Sequence, residues 1–137
     1  LVGSEMCIRD RIESIGDSCY NLARTINHKY RGNEDFTEKQ YSHIHQMFQL
    51  TDDALNQMVS LVEDEGHQVD VNKSFNLENE INNYRSQLKN QNVLDVNNKE
   101  YDYQMGVHYM DLIGECEKLG DYIVNVVEAR TDMKEKK

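Results

Sequence analysis

Tyr109-Met-Asp-Leu-Ile-Gly-Glu-Cys-Glu-Lys-Leu-Gly-Asp-Tyr-Ile-Val-Asn-Val-Val127 reads as a helix with one apolar side. At about 100° per residue, Tyr109, Leu112, Ile113, Cys116, Leu119, Gly120, Ile123, Val124 and Val127 fall in one sector. A sector that wide must be buried against other elements. The 137-residue chain has no proline, no tryptophan and only seven glycines, so nothing in its composition breaks long helices. The expectation is an all-α protein, a compact antiparallel helical bundle of one domain's size.

Three further helices extend this reading. The last helix should run from about Lys99 to Arg130, and the lysine-rich residues 132–137 should fray. Arg31 to Phe36 reads as a break, after which Thr37-x-x-Gln40 has the capping-box spacing that opens a helix. Tyr41, Ile44, Phe48, Thr51, Leu55, Val59 and Val62 then follow at steps of three and four, and Gly66 marks the end. Asp70 or Asn72 caps the next helix, whose inner face is expected to be Leu77, Ile81, Tyr84 and Leu88. The asparagine-rich run Asn90 to Asn98 reads as a connection in which Val93, Leu94 and Val96 tuck against the bundle. The first helix runs from Ile12 to about Tyr30.

That first helix repeats the last one. Glu13-Ser-Ile-Gly-Asp-Ser-Cys-Tyr-Asn and Glu117-Lys-Leu-Gly-Asp-Tyr-Ile-Val-Asn both read Glu-x-[Ile/Leu]-Gly-Asp-x-x-x-Asn. Such self-similarity points to an internal duplication. In each copy the Glu and Asp stand one helical turn apart, where like charges repel unless something cationic separates them. On the wheel Glu117, Asp121, Asn125 and Glu128 border the apolar sector, as Glu13, Asp17 and Asn21 border Ile12, Ile15, Gly16, Cys19, Leu22 and Ala23. A carboxylate at that border loses solvation and needs a hydrogen bond, a basic partner or a metal ion. Glycine before the Asp lets a neighbouring helix come close.

Composition limits the partners. Twenty-five acidic against fifteen basic residues give a charge of −10, which argues against nucleic acid, whose phosphates need a basic footprint. Cys7, Cys19 and Cys116 form neither a CxxC pair nor a disulfide framework. No apolar run approaches the roughly eighteen residues of a membrane span. Di-iron carboxylate oxidases use Glu-x-x-His, and this motif offers no such His: His108 lies nine residues before Glu117, and His43 with His45 lacks the spacing for one ligand face. A metal-dependent carboxylate-bundle oxidase is therefore the weaker alternative, and the chain is read as non-catalytic.

The two motif copies resemble the signature of PhoU-type domains, Glu-Arg-Ile-Gly-Asp followed by Asn-Ile-Ala-Glu. The resemblance implies two three-helix bundles, each with the signature on its third helix, and multinuclear metal sites built from Glu/Asp-x-x-x-Asp pairs. Residues 12–30 then correspond to the last helix of a truncated first bundle and residues 37–131 to a whole second bundle. Phe48 to Met58, and above all Asn76-Leu-Glu-Asn-Glu-Ile-Asn-Asn-Tyr-Arg-Ser-Gln-Leu88, are similar to the cytosolic C-terminal PhoU-like region of bacterial sodium/phosphate cotransporters.

That likeness implies a regulatory domain of a sodium-dependent phosphate symporter on the cytoplasmic side of the bacterial inner membrane. Its partner is the transmembrane transport domain of the same parent chain. A free-standing PhoU-type regulator of phosphate uptake and signalling is the alternative. Carried over, the metal motif falls on Glu117 and Asp121 and on Glu13 and Asp17, with a further pair on Glu78 and Asn82. The implied metal is iron or another divalent or trivalent ion. Ser14 and Lys118 stand where the pattern has Arg, and Asn82 stands where it has an acid.

Leu1 to Arg11, LVGSEMCIRDR, has too short an apolar stretch for a signal peptide and resembles a translated adaptor sequence. Residues 1–11 are accordingly expected to be a non-native leader. A first helix without its own bundle should leave apolar surface exposed and favour self-association.

Overall fold

A computed structural model describes the backbone of residues 2–31, 35–63 and 70–135 and the side chains of residues 9–26, 35–63 and 70–131. All regular structure among them is α-helix: α1 (Val2–Arg31), α2 (Glu38–Glu63), α3 (Val71–Asn97) and α4 (Tyr103–Glu135). The expected all-α bundle is present.

Local chemistry sets where the helices start. Thr37 and Gln40 form the capping box reciprocally: the Thr37 N–H donates to Gln40 Oε1 at 3.0 Å and the Gln40 N–H to Thr37 Oγ1 at 3.1 Å. Asp70 caps α3 by accepting the Asn72 N–H at 3.0 Å. Asp102, not Lys99, opens α4 by accepting the Met105 N–H at 2.7 Å. The expected end of α2 at Gly66 lies outside the described residues.

The asparagine-rich run is a correction. Asn90 to Asn97 belongs to α3, Val93 and Leu94 are each 54% exposed, and the turn is only residues 98–102. The helix is held there by pairing rather than propensity: the Tyr101 hydroxyl donates to Asn92 Oδ1 at 2.6 Å, and Gln91 Nε2 to Asp95 Oδ1 at 2.9 Å. Lys99, in the left-handed region at φ 60, ends α3. Its N–H donates to Val96 O and that of Glu100 to Asp95 O, a Schellman closure that most often uses glycine.

Cross-helix pairs give the topology. Phe36 and His43 meet Tyr109, and Thr51 meets Cys116, so α2 and α4 run parallel. Lys39 pairs with Asp95 and Tyr84 with Gln46, and Ile81 lies against Gly120 while Asn92 and Val96 lie against Gly106. The middle helix α3 therefore runs antiparallel to both. The three helices α2, α3 and α4 form an up-down-up bundle.

All nine residues of the sector quoted for α4 are buried, with Ile113 and Cys116 fully so. On α2 Ile44 and Thr51 of the expected stripe are buried, and the stripe is turned from there toward Gln40, Met47, Ala54, Met58 and Leu61, because the helix must face both α3 and α4. Tyr41, Val59 and Val62 stay exposed. Burial pushes the Cys116 thiol up to about 12, so it is a packing residue rather than a nucleophile.

Among the described residues the first helix packs on α4 and on neither other helix. Ser18 Oγ donates to Glu115 O at 3.4 Å and Asn21 Nδ2 to Glu115 Oε1 at 3.3 Å. With the start of α2 beside Tyr109, this register makes α1 antiparallel to α4. Ile15 and Leu22 face inward, but Ile12, Gly16, Cys19 and Ala23, expected in the same buried sector, are exposed. The reason is that, among the described residues, only α4 covers α1.

Two glycines of α4 should respond oppositely to substitution. A Cβ on Gly106 would lie 2.9 Å from Val96 Cγ2 and 3.1 Å from Asn92 Oδ1, whereas one on Gly114 would meet nothing within 4 Å. Val96 is β-branched and Asn92 is tied to Tyr101, so neither yields easily. Gly106→Ala is expected to destabilise by about 1–3 kcal/mol, and Gly114→Ala to stabilise by up to about 1 kcal/mol. Urea titrations of the two variants check the signs.

Candidate functional site

The repeat ends up in two unlike settings. Gly120 of the second copy lies against Ile81 of α3, its Cβ position 3.4 Å from Ile81 Cδ1, so α3 crosses α4 beside the acidic pair. Gly16 of the first copy has nothing within 4 Å of the same position. Consequently Glu13 and Asp17 stand exposed on α1, and neither has a partner from another helix among the described residues. Asn21, the third polar residue of that copy, is spent on Glu115.

In the second copy the acids separate. Glu117 is half-buried and pairs with Arg85 of α3, its Oε2 lying 3.3 Å from Nε. Asp121 is exposed at residue level but reaches α3, where its carboxyl shares a hydrogen bond with Glu78. The charge of Glu128, about two turns beyond, also acts on Glu78. Desolvation by burial, then the bond with Asp121, then the charges of Asp121 and Glu128 raise the Glu78 pKa above the ordinary carboxylate range. Two carboxyl groups can share a hydrogen bond only if one keeps its proton. Neighbouring acids of this kind are relieved by a proton or by a cation.

The donor set has the chemistry of a hard-cation site, since carboxylate oxygens suit magnesium, manganese or iron. Among the described residues, however, no group of three or more His, Cys, Asp or Glu side chains is gathered closely enough to hold a metal ion. Glu78 and Asp121 are together, Asn82 beside them on α3 is half-buried, and Glu117 could join only by leaving Arg85. The partnership of Glu78 with Asp121 was legible only through the family likeness. Arg85 carried no local signal at all, because its role depends on the register between α3 and α4.

A pH signature follows from the Glu78 proton. The folded chain keeps it to a higher pH than the unfolded chain does, so stability falls as pH rises from the ordinary carboxylate value to the raised one. With chelator present, Glu78→Gln is expected to stabilise the protein near neutral pH by less than about 1 kcal/mol, a figure kept small by solvent screening. Near about pH 3, where Glu78 is protonated in both states, the gain should vanish. Thermal melts at the two pH values check this.

The histidines sit elsewhere. His43 Nδ1 is 3.0 Å from the buried Tyr109 hydroxyl, and its ring stacks edge-on against Tyr84. Burial, then the Lys39 charge, lowers the His43 pKa against the opposing pull of Asp95. Among the described residues, no helix is long and apolar enough to cross a membrane.

The model of one protein family, described as PhoU domain, matches residues 44–129. Searches of curated proteins and of solved structures give no significant match. The matched span covers most of α2, all of α3 and the repeat copy on α4, and it excludes α1.

Proposed function

This chain belongs to the PhoU domain family, and on that premise we propose that it is the cytoplasmic regulatory module of a sodium-dependent phosphate symporter. The domain fits a phosphate-related regulatory role, and the family is regulatory rather than catalytic. The observation that carries the reading to a site is the carboxyl contact between Glu78 of α3 and Asp121 of α4. Glu78 and Asp121 would hold a metal ion there, iron or another divalent or trivalent cation. Glu117 completes that donor set by exchanging Arg85 for the ion, and Glu13 with Asp17 supply the equivalent pair on α1. Such an ion would supply the positive charge that neighbouring acids on α3 and α4 lack.

The partner is the membrane transport domain of the same parent chain. Support for a further covering element comes from α1, where Ile12 and Tyr20 are exposed while the matching positions of α4, Cys116 and Val124, are buried. The test is the coding sequence immediately upstream of Ile12. Apolar spans followed by two amphipathic helices are expected. A water-soluble three-helix bundle with no spans would instead make the protein a free-standing PhoU-type regulator.

A further inference from the structure

The helices α1, α3 and α4 enclose a groove of about 980 Å³ to which α2 contributes no side chain. Its two ends differ in chemistry. Toward the turn between α3 and α4 the wall is apolar, with Val93, Val107 and Tyr103 all exposed, Tyr103 to 75%. Toward the middle, Arg24 enters from α1 and Lys89 from α3. The shared register places these two cations opposite each other. Asn21 of α1 bonds Glu115 and Arg85 of α3 pairs with Glu117, and Arg24 and Lys89 each lie one turn further along helices that run antiparallel to α4.

Charge accounting isolates the same pair. Among the described residues four cations and three acids line the groove, in a chain whose net charge is −10. Arg85 is committed to Glu117 at 3.3 Å and Lys118 lies 3.9 Å from Glu115. Among the described residues no ion pair engages Arg24 or Lys89, and Asp111 is the one groove acid left outside an ion pair. Between them the floor is Gly114, where a Cβ would meet nothing within 4 Å. A mid-helix glycine costs about 1 kcal/mol relative to alanine, and no packing among the described residues requires it here. It leaves space between two uncommitted cations.

We propose that this groove binds a small organic anion of low charge. Its acidic group, a phosphate monoester or a carboxylate, lies between Arg24 and Lys89 over Gly114. Its apolar or aromatic body lies along Val107 and Val93 to the ring of Tyr103. The volume suits such a ligand. Asp111 and Glu115 disfavour a highly charged one, and the apolar half of the groove gives an inorganic anion nothing to bind.

The test is a fluorescence titration of the whole chain with anilinonaphthalene sulfonate, an aromatic monoanion. Loss of two charge-assisted contacts in Arg24→Gln/Lys89→Gln is expected to raise the dissociation constant about tenfold or more. The same charge change outside the groove, Arg9→Gln/Lys73→Gln, is expected to raise it less than about twofold. An equal rise in both variants, or a rise in neither, overturns the proposal, and circular dichroism confirms that each variant is folded. Competition identifies the source: displacement by adenosine monophosphate indicates an organic phosphate, and displacement by laurate a fatty carboxylate. Displacement by inorganic phosphate as effective as by either, or by none of the three, overturns it.

Discussion

Ile81→Ala is expected to cost about 2–5 kcal/mol, a large part of the stability of a domain this size. Ile81 is fully buried on α3, and its δ and γ methyl carbons lie 3.4 and 3.6 Å from where a Gly120 Cβ would be. It fills the space that the glycine of the repeat leaves open, so truncation opens a cavity at the crossing of α3 and α4. No neighbour can collapse into it without moving a helix. Ile12→Ala removes the same kind of side chain from a position 46% exposed and should change stability by no more than about 0.5 kcal/mol. Urea denaturation of the two variants checks the contrast, and near-equal losses would mean that α1 is covered or α3 is not seated.

The second large effect lies at the other end of the bundle. Asp95, 6% exposed, accepts from Lys39 Nζ at 3.3 Å and from Gln91 Nε2 at 2.9 Å, tying α3 to α2. Replacing it with Asn keeps one acceptor and deletes the charge, at an expected cost of about 1.5–3 kcal/mol. The pH dependence should change as well. In the native chain the His43 pKa is lowered, so below its ordinary value the unfolded state takes up a proton that the folded state refuses. Stability is therefore full above that value and is lost as pH falls toward the folded one. Asp95 pulls against the lowering, so Asp95→Asn deepens it and the variant should lose more stability than the native chain between pH ~7 and ~5. The sign is opposite to that of Glu78, whose contribution falls as pH rises.

Much of the fold was written in local pattern. The apolar sector of α4, the capping box at Thr37 and Gln40 and the Asp70 cap depend on neighbours within one or two turns, and all three appear as expected. What local pattern missed depends on other helices. Asn90 to Asn97 has loop composition but is held as helix by Tyr101, Lys39 and the packing of α4. Ile12, Gly16, Cys19 and Ala23 have core composition but stand exposed, because burial needs a covering partner and among the described residues α1 meets only α4.

The site divides the same way. Border positions for Glu117 and Asp121 follow from the wheel, but the wheel does not tell which acid finds a base and which finds another acid. Arg85 claims Glu117 from one turn of α3, and Glu78, seven residues earlier in sequence, claims Asp121. The duplication is thus symmetric in sequence and unequal in structure. Only the copy on α4 has a second helix supplying carboxylate.

Elemental analysis of the purified chain, native beside Asp121→Ala and Glu78→Gln, tests the carboxyl site most directly. The native protein is predicted to retain metal through gel filtration and each variant to lose most of it, with Glu13→Gln having a smaller effect. Equal metal content in all four proteins, or none in the native chain purified from metal-supplemented cells, would contradict it.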